Sequence, residues 1–556
     1  MDKIRIRNLR SLKDTKDIDI KPLTILVGKN SSGKSTFLRF FPLMKQTLST
    51  KKNEPILWYS KQNVDFGSFT DAINRKNKDS IIGFDFKFTL FEDSGEFVIY
   101  QLMAFPLEVF LSVELKEKQL SKISISNSYF KIEIIEQNEK YIIYINNQKV
   151  ESSIKISNLG VFDDFLPEFE VYKTNENTIG RITLPMYFNK SLIKLLIAYS
   201  EKNYEAVNHE KLKSEYENFI SKFSLARMGL IVNRDIDTLL KLEELMSNDD
   251  DDLREDTTYS KKYYVNDQDY QYEFDFNSNK DINILHEFLK NSPEDEYKHF
   301  SNLLIGVYLE RLLLKCNSYL KEYFSKVHYI APIRASAERY YRIQGLAVDE
   351  IDPQGENIPM AINHLSDLEK DNFKAWMKQN FGFEITTKNI VGHVTLNISF
   401  DNEENLNLTD TGFGFSQILP MVLLLWRIEN NKAYIRETPP WLDVKKATHT
   451  IVIEQPELHL HPALQARLID AFVNCIKVAN KRGIQLNIII ETHSETIVNR
   501  VGKLIYKELV DSTQVNVLIF GDNKNSNPSE SSITSVSFTE EGTIENWPLG
   551  FFYPEV

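Results

Sequence analysis

Cysteine is scarce: the 556-residue chain carries two, Cys316 and Cys475. That excludes a disulfide framework and any zinc-finger spacing, and makes a reducing cytoplasm the simplest compartment. No run of about 18 apolar residues occurs, so no helix is expected to span a membrane. Positive charge is in deficit. Lys and Arg number 66 against 79 Asp and Glu, a formal net charge of -13. This balance argues against a chain that coats nucleic acid over its whole surface. Pro-rich linkers, low-complexity tracts and internal repeats are absent as well. The first ten residues alternate apolar and charged side chains, reading as a strand and not as a signal peptide. What remains is an ordinary globular share of apolar residues, 42%, in a length greater than one ordinary domain.

Residues 2–8 and 17–27 read as strands, and an apolar helix is expected from about Lys34 to Leu48. Residues 80–175 are rich in alternating β-branched and aromatic residues, as in Ile81-Ile-Gly-Phe-Asp-Phe-Lys-Phe-Thr-Leu90. That period of two predicts an antiparallel β lobe. Helical patterns follow over 191–223, 236–247 and 283–325. They are interrupted by Asn248-Asp-Asp-Asp-Asp252, which reads as a solvated acidic loop, and by a polar, tyrosine-rich segment. Strand-like sequence resumes at Val327, and a β/α block runs from about 385 to 520. The expected fold is α/β: a mixed sheet, an antiparallel β lobe and a helical insertion. The expected partition is 1–190, 191–326 and 327–556.

Four segments carry chemistry. Gly28-Lys-Asn-Ser-Ser-Gly-Lys-Ser-Thr36 fits the phosphate-loop pattern in full, with an apolar strand before it and an apolar helix after it. In such a loop backbone N–H groups, including those around Asn30, Ser31 and Ser32, point at phosphate oxygens. Gly28 and Gly33 allow close backbone approach. Lys34 brings a cation to the β- and γ-phosphates, Ser35 is a Mg²⁺ ligand, and Thr36 reaches the α-phosphate. ATP and Mg²⁺ are the expected cofactors. In the second segment, the apolar strand Ile451-Val-Ile453 delivers Glu454 to a sheet edge where a carboxylate can hold Mg²⁺. Third, Leu486-Asn-Ile-Ile-Ile-Glu-Thr-His-Ser494 delivers His493 to the same edge, within reach of a γ-phosphate or an attacking water. Fourth, Leu408-Thr-Asp-Thr-Gly-Phe-Gly-Phe-Ser-Gln-Ile-Leu-Pro420 places glycines and Ser416 before an apolar helix, a second anion-ready N-terminus. His459, His461 and His493 can also be read as a metal site, although packing and loop roles suit His459 and His461 better. Arg5, Arg7 and Arg10 could meet nucleic-acid phosphates or form one solvated face of an ordinary strand.

In this order the four segments resemble those of an ABC-type ATPase: Walker A, signature, Walker B with its D-loop, and switch histidine. The wide gap between the first two is similar to the SMC and DNA-repair branch, whose split head flanks an insertion. The resemblance implies a homodimer in which Gly414 and Ser416 of one copy touch ATP held by the other, with higher assemblies compatible. Glu454–Pro462 and Gly412–Pro420 resemble the ATPase half of overcoming-lysogenization-defect nucleases. So do Tyr329–Arg334, Glu338–Tyr341, Asp352–Asn357 and the C-terminal Gly542–Phe552. Those nucleases continue into a Toprim domain, for which the sequence after His493 is read as too short. The resemblance therefore narrows to PtuA subunits of Septu-type and retron-associated anti-phage systems. It implies a separate HNH-type nuclease partner (PtuB-like), with a retron reverse transcriptase and its DNA or RNA as further partners, and no membrane.

One position departs from the pattern. Most ABC ATPases carry a glutamate directly after the Walker B carboxylate, where it orients or deprotonates the attacking water. Here that residue is Gln455, which cannot act as a base. Slow hydrolysis is expected, with Glu457 a candidate substitute. The competing readings are an SMC-like head in DNA repair or chromosome organisation, a PARIS-type defence ATPase, a transporter ATPase and a self-sufficient nuclease. Sustained heptads, a compact signature and a visible nuclease cluster would favour the first, third and fourth of these, and none is seen.

Overall fold

Every residue of Leu23–Gly28 is buried, the pattern of a strand covered on both faces. The inner residues of Ala447–Glu454, Ile484–Glu491 and Val515–Gly521 are buried in the same way. In the computed structural model these segments pair in parallel at the centre of a six-stranded sheet. In chain order its strands are β1 (Leu23–Gly28), β2 (Val327–Ile330), β3 (Ala447–Glu454), β4 (Ile484–Glu491), β5 (Val515–Gly521) and β6 (Ser532–Val536). In space they lie β2-β3-β4-β1-β5-β6, with β6 antiparallel to its neighbour. One strand from the first part of the chain is thus inserted among strands from the last part. The structure describes residues 1–76, 80–91, 107–183, 294–400, 405–430, 447–521 and 532–547, with short breaks inside 107–183, 294–400 and 532–547.

The fold is α/β, and two apolar cores flank the sheet. On one side stands a twelve-stranded, antiparallel sheet that runs from Lys3–Leu9 through Ile82–Leu90 and Leu107–Lys116 to Lys140–Ile145 and beyond. Its alternating burial follows the period-two sequence. Helices α1 (Lys34–Ser49) and α2 (Glu294–Ser325) close this core, with Phe40, Phe41, Phe84 and Phe324 inside it. The other core holds α3 (Gly414–Asn430), α4 (Pro462–Lys481), α5 (Glu495–Tyr506), the helix Asp367–Phe381 and the hairpin Phe383–Ile390/His393–Phe400. Among the described residues, no helix is long and apolar enough to cross a membrane.

The strand expected over 17–27 is two pieces, Ile18–Asp19 and Leu23–Gly28. Pro22 lies between them, and a residue without an N–H cannot extend a ladder. The helical patterns at 191–223 and 236–247, the acidic run 248–252 and the tyrosine-rich segment lie outside the described residues. The described end of that region, α2, is built into the first core. Its Asn317 side chain pairs with both backbone groups of Leu166, at 2.8 Å each, and the Tyr319 ring stacks on Phe88 at 4.2 Å. Arg5 and Arg7 are committed to carboxylates inside the β lobe. Arg5 bonds both oxygens of Asp14, and Arg7 reaches Asp85 and Glu114. Arg10 lies over the Phe66 ring, 4.3 Å from its centre. Arg5 and Arg7 thus belong to the solvated face of an ordinary strand, and Arg10 packs just beyond its end.

A partly buried histidine pair joins β2 to β3. His328 Nε2 and His449 Nδ1 are 3.3 Å apart with parallel rings. Burial lowers both pKa values, that of His449 from 6.5 to about 4, with Lys326 adding to the shift. The sign follows from linkage. Below pH 6.5 the unfolded chain takes up a proton that the folded His449 refuses until about pH 4. Stability from this group is therefore lost as pH falls through that window, by up to roughly 3 kcal/mol. Replacing His449 by Gln should flatten the fall of the thermal midpoint between those pH values, as followed by circular dichroism. An unchanged slope would refute the assignment.

Candidate nucleotide site

The loop Gly28–Thr36 leaves the C-terminal end of β1 and enters α1 at Lys34. Its path needs glycine at both ends. Gly28 has φ +150°, and an added Cβ would lie 2.0 Å from the Phe520 carbonyl oxygen. Gly33 has φ +105°, and a Cβ there would meet the Leu12 side chain at 2.6 Å. Replacing Gly28 by Ala should cost about 3 kcal/mol through strain and overlap. Urea titration checks this, and a midpoint within error of the parent would contradict it.

Lys29, Asn30 and Ser31 of the loop are exposed. Ser32 Oγ is buried without a hydrogen-bond partner. Lys34 is buried, and its ammonium donates to the carbonyls of Gly28 at 3.0 Å and Lys29 at 2.7 Å. Burial lowers its pKa, while Glu491 and Glu457 pull it back up.

The sheet delivers two carboxylates at one level. β3 ends at Glu454 and β4 at Glu491, paired in register, and Glu491 pairs on its other side with Leu26 of β1. Glu454 is held on both oxygens. Arg39 Nε bonds Oε1 at 2.6 Å, Arg39 Nη2 bonds Oε2 at 2.8 Å, and the Tyr329 hydroxyl bonds Oε1 at 2.6 Å. Glu491 receives the Ser35 hydroxyl on Oε2 at 2.7 Å, with Lys34 Nζ 3.9 Å from Oε1. Burial raises the Glu491 pKa, opposed by the Ser35 bond.

Beyond the strand ends the chain turns tightly. Gln455 adopts a left-handed conformation, φ +43°, and its N–H bonds the Glu491 carbonyl at 2.9 Å. Glu457 Oε1 accepts the His493 N–H at 2.7 Å, while Oε2 is buried without a partner. Burial raises the Glu457 pKa, countered by that bond and by Arg334 among others. Arg334 is 3% exposed. It donates Nη2 to the carbonyls of Glu454 and Gln455, and its Nε and Nη1 find no partner. Burial pulls its pKa down to about 10, against the attraction of Glu457. The His493 ring is exposed, its pKa lowered by partial burial and then by Lys34.

The structure thus gathers Gly28–Thr36, Glu454, Gln455 and His493 at one sheet edge. Gly414 and Ser416 sit apart, at the start of α3 against the loop after β3. A Cβ on Gly414 would lie 2.5 Å from the His459 carbonyl oxygen, and Phe413 packs edge-on against the His459 ring. Ser416 Oγ donates to the Phe413 carbonyl at 2.8 Å. His461 caps α4, its Nδ1 accepting the Ala463 N–H at 3.2 Å. Sequence reasoning missed Glu491, Arg39 and Tyr329. A carboxylate closing the apolar run Leu486–Ile490 was the available signal for the first.

ATP and Mg²⁺ fit what is present. The loop offers a glycine-lined cradle at a helix N-terminus, a buried lysine and an unpartnered buried serine hydroxyl. Ser35 and the carboxylates supply the oxygen donors that Mg²⁺ requires. Gly28–Thr36 would hold the phosphates, and a bound cation would neutralise their charge.

A phosphate loop at the end of a largely parallel sheet, backed by strand-end carboxylates, defines a P-loop ATPase. The sequence profile of the AAA ATPase domain family matches residues 1–498, and the chain belongs to that family. No curated protein matches the chain. Among solved structures, it is similar to the Smc head domain with an extended coiled coil bound to the C-terminal domain of ScpA from Pyrococcus furiosus. Identity there is 10% over 96% of both chains, with a TM-score of 0.32. The SMC head domain from Thermotoga maritima gives 10% identity over 96% of this chain and 97% of that one, with a TM-score of 0.31.

Proposed function

We propose that this chain is the ATP-binding and ATP-hydrolysing subunit of an anti-phage defence complex, one that senses infection and controls a separate nuclease. The single observation that carries this reading is Gln455. An amide stands where a base is expected, in a turn pinned to Glu491 by a 2.9 Å bond. An ATPase so built dwells in its ATP-bound state, which suits a scaffold better than a motor. The sequence resemblance to PtuA subunits supplies the biological setting and the HNH-type nuclease as partner.

In this reading Gly28–Thr36 holds ATP, Ser35 and Glu454 hold Mg²⁺, and His493 faces the γ-phosphate. Gly414 and Ser416 complete the site on a second copy, giving a homodimer with two sandwiched nucleotides. The ATPase lobes are 1–190 and 327–556, and 191–326 is the region that meets the partner. The complex works in the cytoplasm.

The test is a pull-down of tagged chain from its native host with ATP and Mg²⁺, with proteins and nucleic acids identified. A small nuclease, with or without a reverse transcriptase and its DNA, is the expected recovery. Recovery of chromosomal DNA and repair factors alone would overturn the defence role and leave a DNA-repair or chromosome head.

A further inference from the structure

Arg334 lies buried at the strand ends, and the proposed reaction gives it no task. We propose that Arg334 is a positioning residue for ATP hydrolysis. It fixes the two peptide groups that flank residue 455, and so sets the direction in which that side chain meets the attacking water. The proposal rests on the reading of position 455 given above and deepens it.

Gln455 is a non-glycine residue at φ +43°. Such a backbone persists only where its surroundings impose it. The Gln455 N–H is taken by the Glu491 carbonyl at 2.9 Å, and its carbonyl accepts the Leu458 N–H at 3.2 Å. Arg334 Nη2 adds a bond to that same carbonyl at 3.3 Å and another to the Glu454 carbonyl at 2.9 Å. Nη2 carries two protons, one for each acceptor. One nitrogen thus holds the peptide group on either side of the residue 455 Cα. Each peptide is planar, so fixing both fixes the Cα–Cβ direction. An error of about 1 Å at such a group can cost about 10²-fold in rate. The grip on the backbone therefore weighs as much as the choice of side chain.

Arg334 is itself held in place. Its segment follows β2, and the N–H groups of Ala331 and Ala335 bond the carbonyls of Pro353 and Gln354 at 2.8 Å each. The carbonyls of Arg334 and Ala335 receive the side-chain amide of Gln417, on α3, at 3.4 Å each. A donor mounted on a fixed backbone loses little further freedom when it grips the turn.

The chain also buries the harder of two neighbours. Ile333 is 79% exposed and Arg334 3%, the reverse of what burial alone favours. A buried guanidinium is ordinarily matched to a carboxylate. Among the described residues Arg334 makes no ion pair within 4.0 Å, and its acceptors are the two carbonyls at position 454 and position 455. Filling the space is a task for an apolar side chain of similar volume. If Arg334 served the fold alone, its removal would lower stability and leave the link between position 455 and turnover untouched.

The experiment reads ATP turnover of the full chain in three backgrounds, the parent, Arg334→Met and Arg334→Lys, each with and without Gln455→Glu. Circular dichroism checks folding, and calorimetry gives ATP affinity. Turnover is taken at about pH 9, where an added carboxylate is ionised in every background, so loss of the guanidinium charge does not act through protonation. In the parent background Gln455→Glu should gain about 10²-fold. In Arg334→Met that gain should shrink to about 10-fold or less, with ATP affinity unchanged. Arg334→Lys keeps the charge on a shorter side chain without the planar fork, and should lose about 3-fold or more of the gain. It also covers the case in which the methionine variant fails to fold. An undiminished gain in either folded variant would overturn the proposal. So would a gain that shrinks only together with ATP affinity, which would place Arg334 in nucleotide binding. No gain in the parent background would instead overturn the reading of position 455 beneath the proposal.

Discussion

Replacing Gln455 by glutamate should raise ATP turnover about 10²-fold, the usual contribution of a positioned general base. The exchange is isosteric, so the turn it occupies survives. Its φ of +43° and the bond from its N–H to the Glu491 carbonyl belong to the backbone and do not depend on the amide. The new carboxylate would enter a site that already holds Glu454, Glu457 and Glu491. Like charges raise its pKa toward neutrality, where a base works best. Arg334, which bonds the carbonyl of residue 455, lies close enough to keep it from being fully neutralised. The parent chain should turn over slowly, and its ATP-bound dimer should persist on size-exclusion chromatography. The glutamate variant should lose that dimer as it consumes ATP. A parent turnover of about ten per second or more, or a variant no faster than the parent, would show that position 455 does not limit hydrolysis.

The contrast between what was legible and what was not follows the range of the interactions. The phosphate loop was readable because its pattern is contiguous and each glycine answers a local steric demand, visible in the clashes a Cβ would meet at Gly28 and Gly33. The β lobe was readable because alternation along one strand reports one buried face. Glu454 at the end of β3 was placed correctly, since an apolar run determines where its strand stops. Its partners were not readable. Arg39 sits on the half-exposed side of α1, 415 residues away in sequence, and looks like any helix arginine until the sheet brings Glu454 beneath it. Glu491 was hidden in a different way. It precedes a histidine motif that drew attention to the loop, while its own role depends on strand order, and sequence alone does not say that β4 lies between β1 and β3. Arg334 lies within a segment noted for its resemblance, yet its burial and unpartnered N–H groups are properties of packing alone.

If Gln455 cannot take a proton, residual hydrolysis needs another base, and Glu457 is the group the site provides. Its Oε1 is fixed by the His493 N–H, so the carboxylate is tied to the turn that carries His493. Its Oε2 is buried and unpartnered, an acceptor held without a donor. It lies near enough to Lys34 to pull that ammonium's pKa upward. Replacing Glu457 by Gln preserves an acceptor for His493 and should reduce the parent's residual turnover by about 10²-fold, with ATP affinity little changed. The pH dependence gives an independent sign. Burial raises the Glu457 pKa above its ordinary 4.5, and a base works only when deprotonated. Parent turnover should therefore rise with pH through this elevated value, and fall away on the acid side earlier than an ordinary carboxylate would allow. In Gln455→Glu the acid limb should pass to the new carboxylate, and adding Glu457→Gln should then have little further effect. Turnover and acid limb both unchanged in Glu457→Gln alone would assign the base to a different group and leave Glu457 as the cap of the His493 turn.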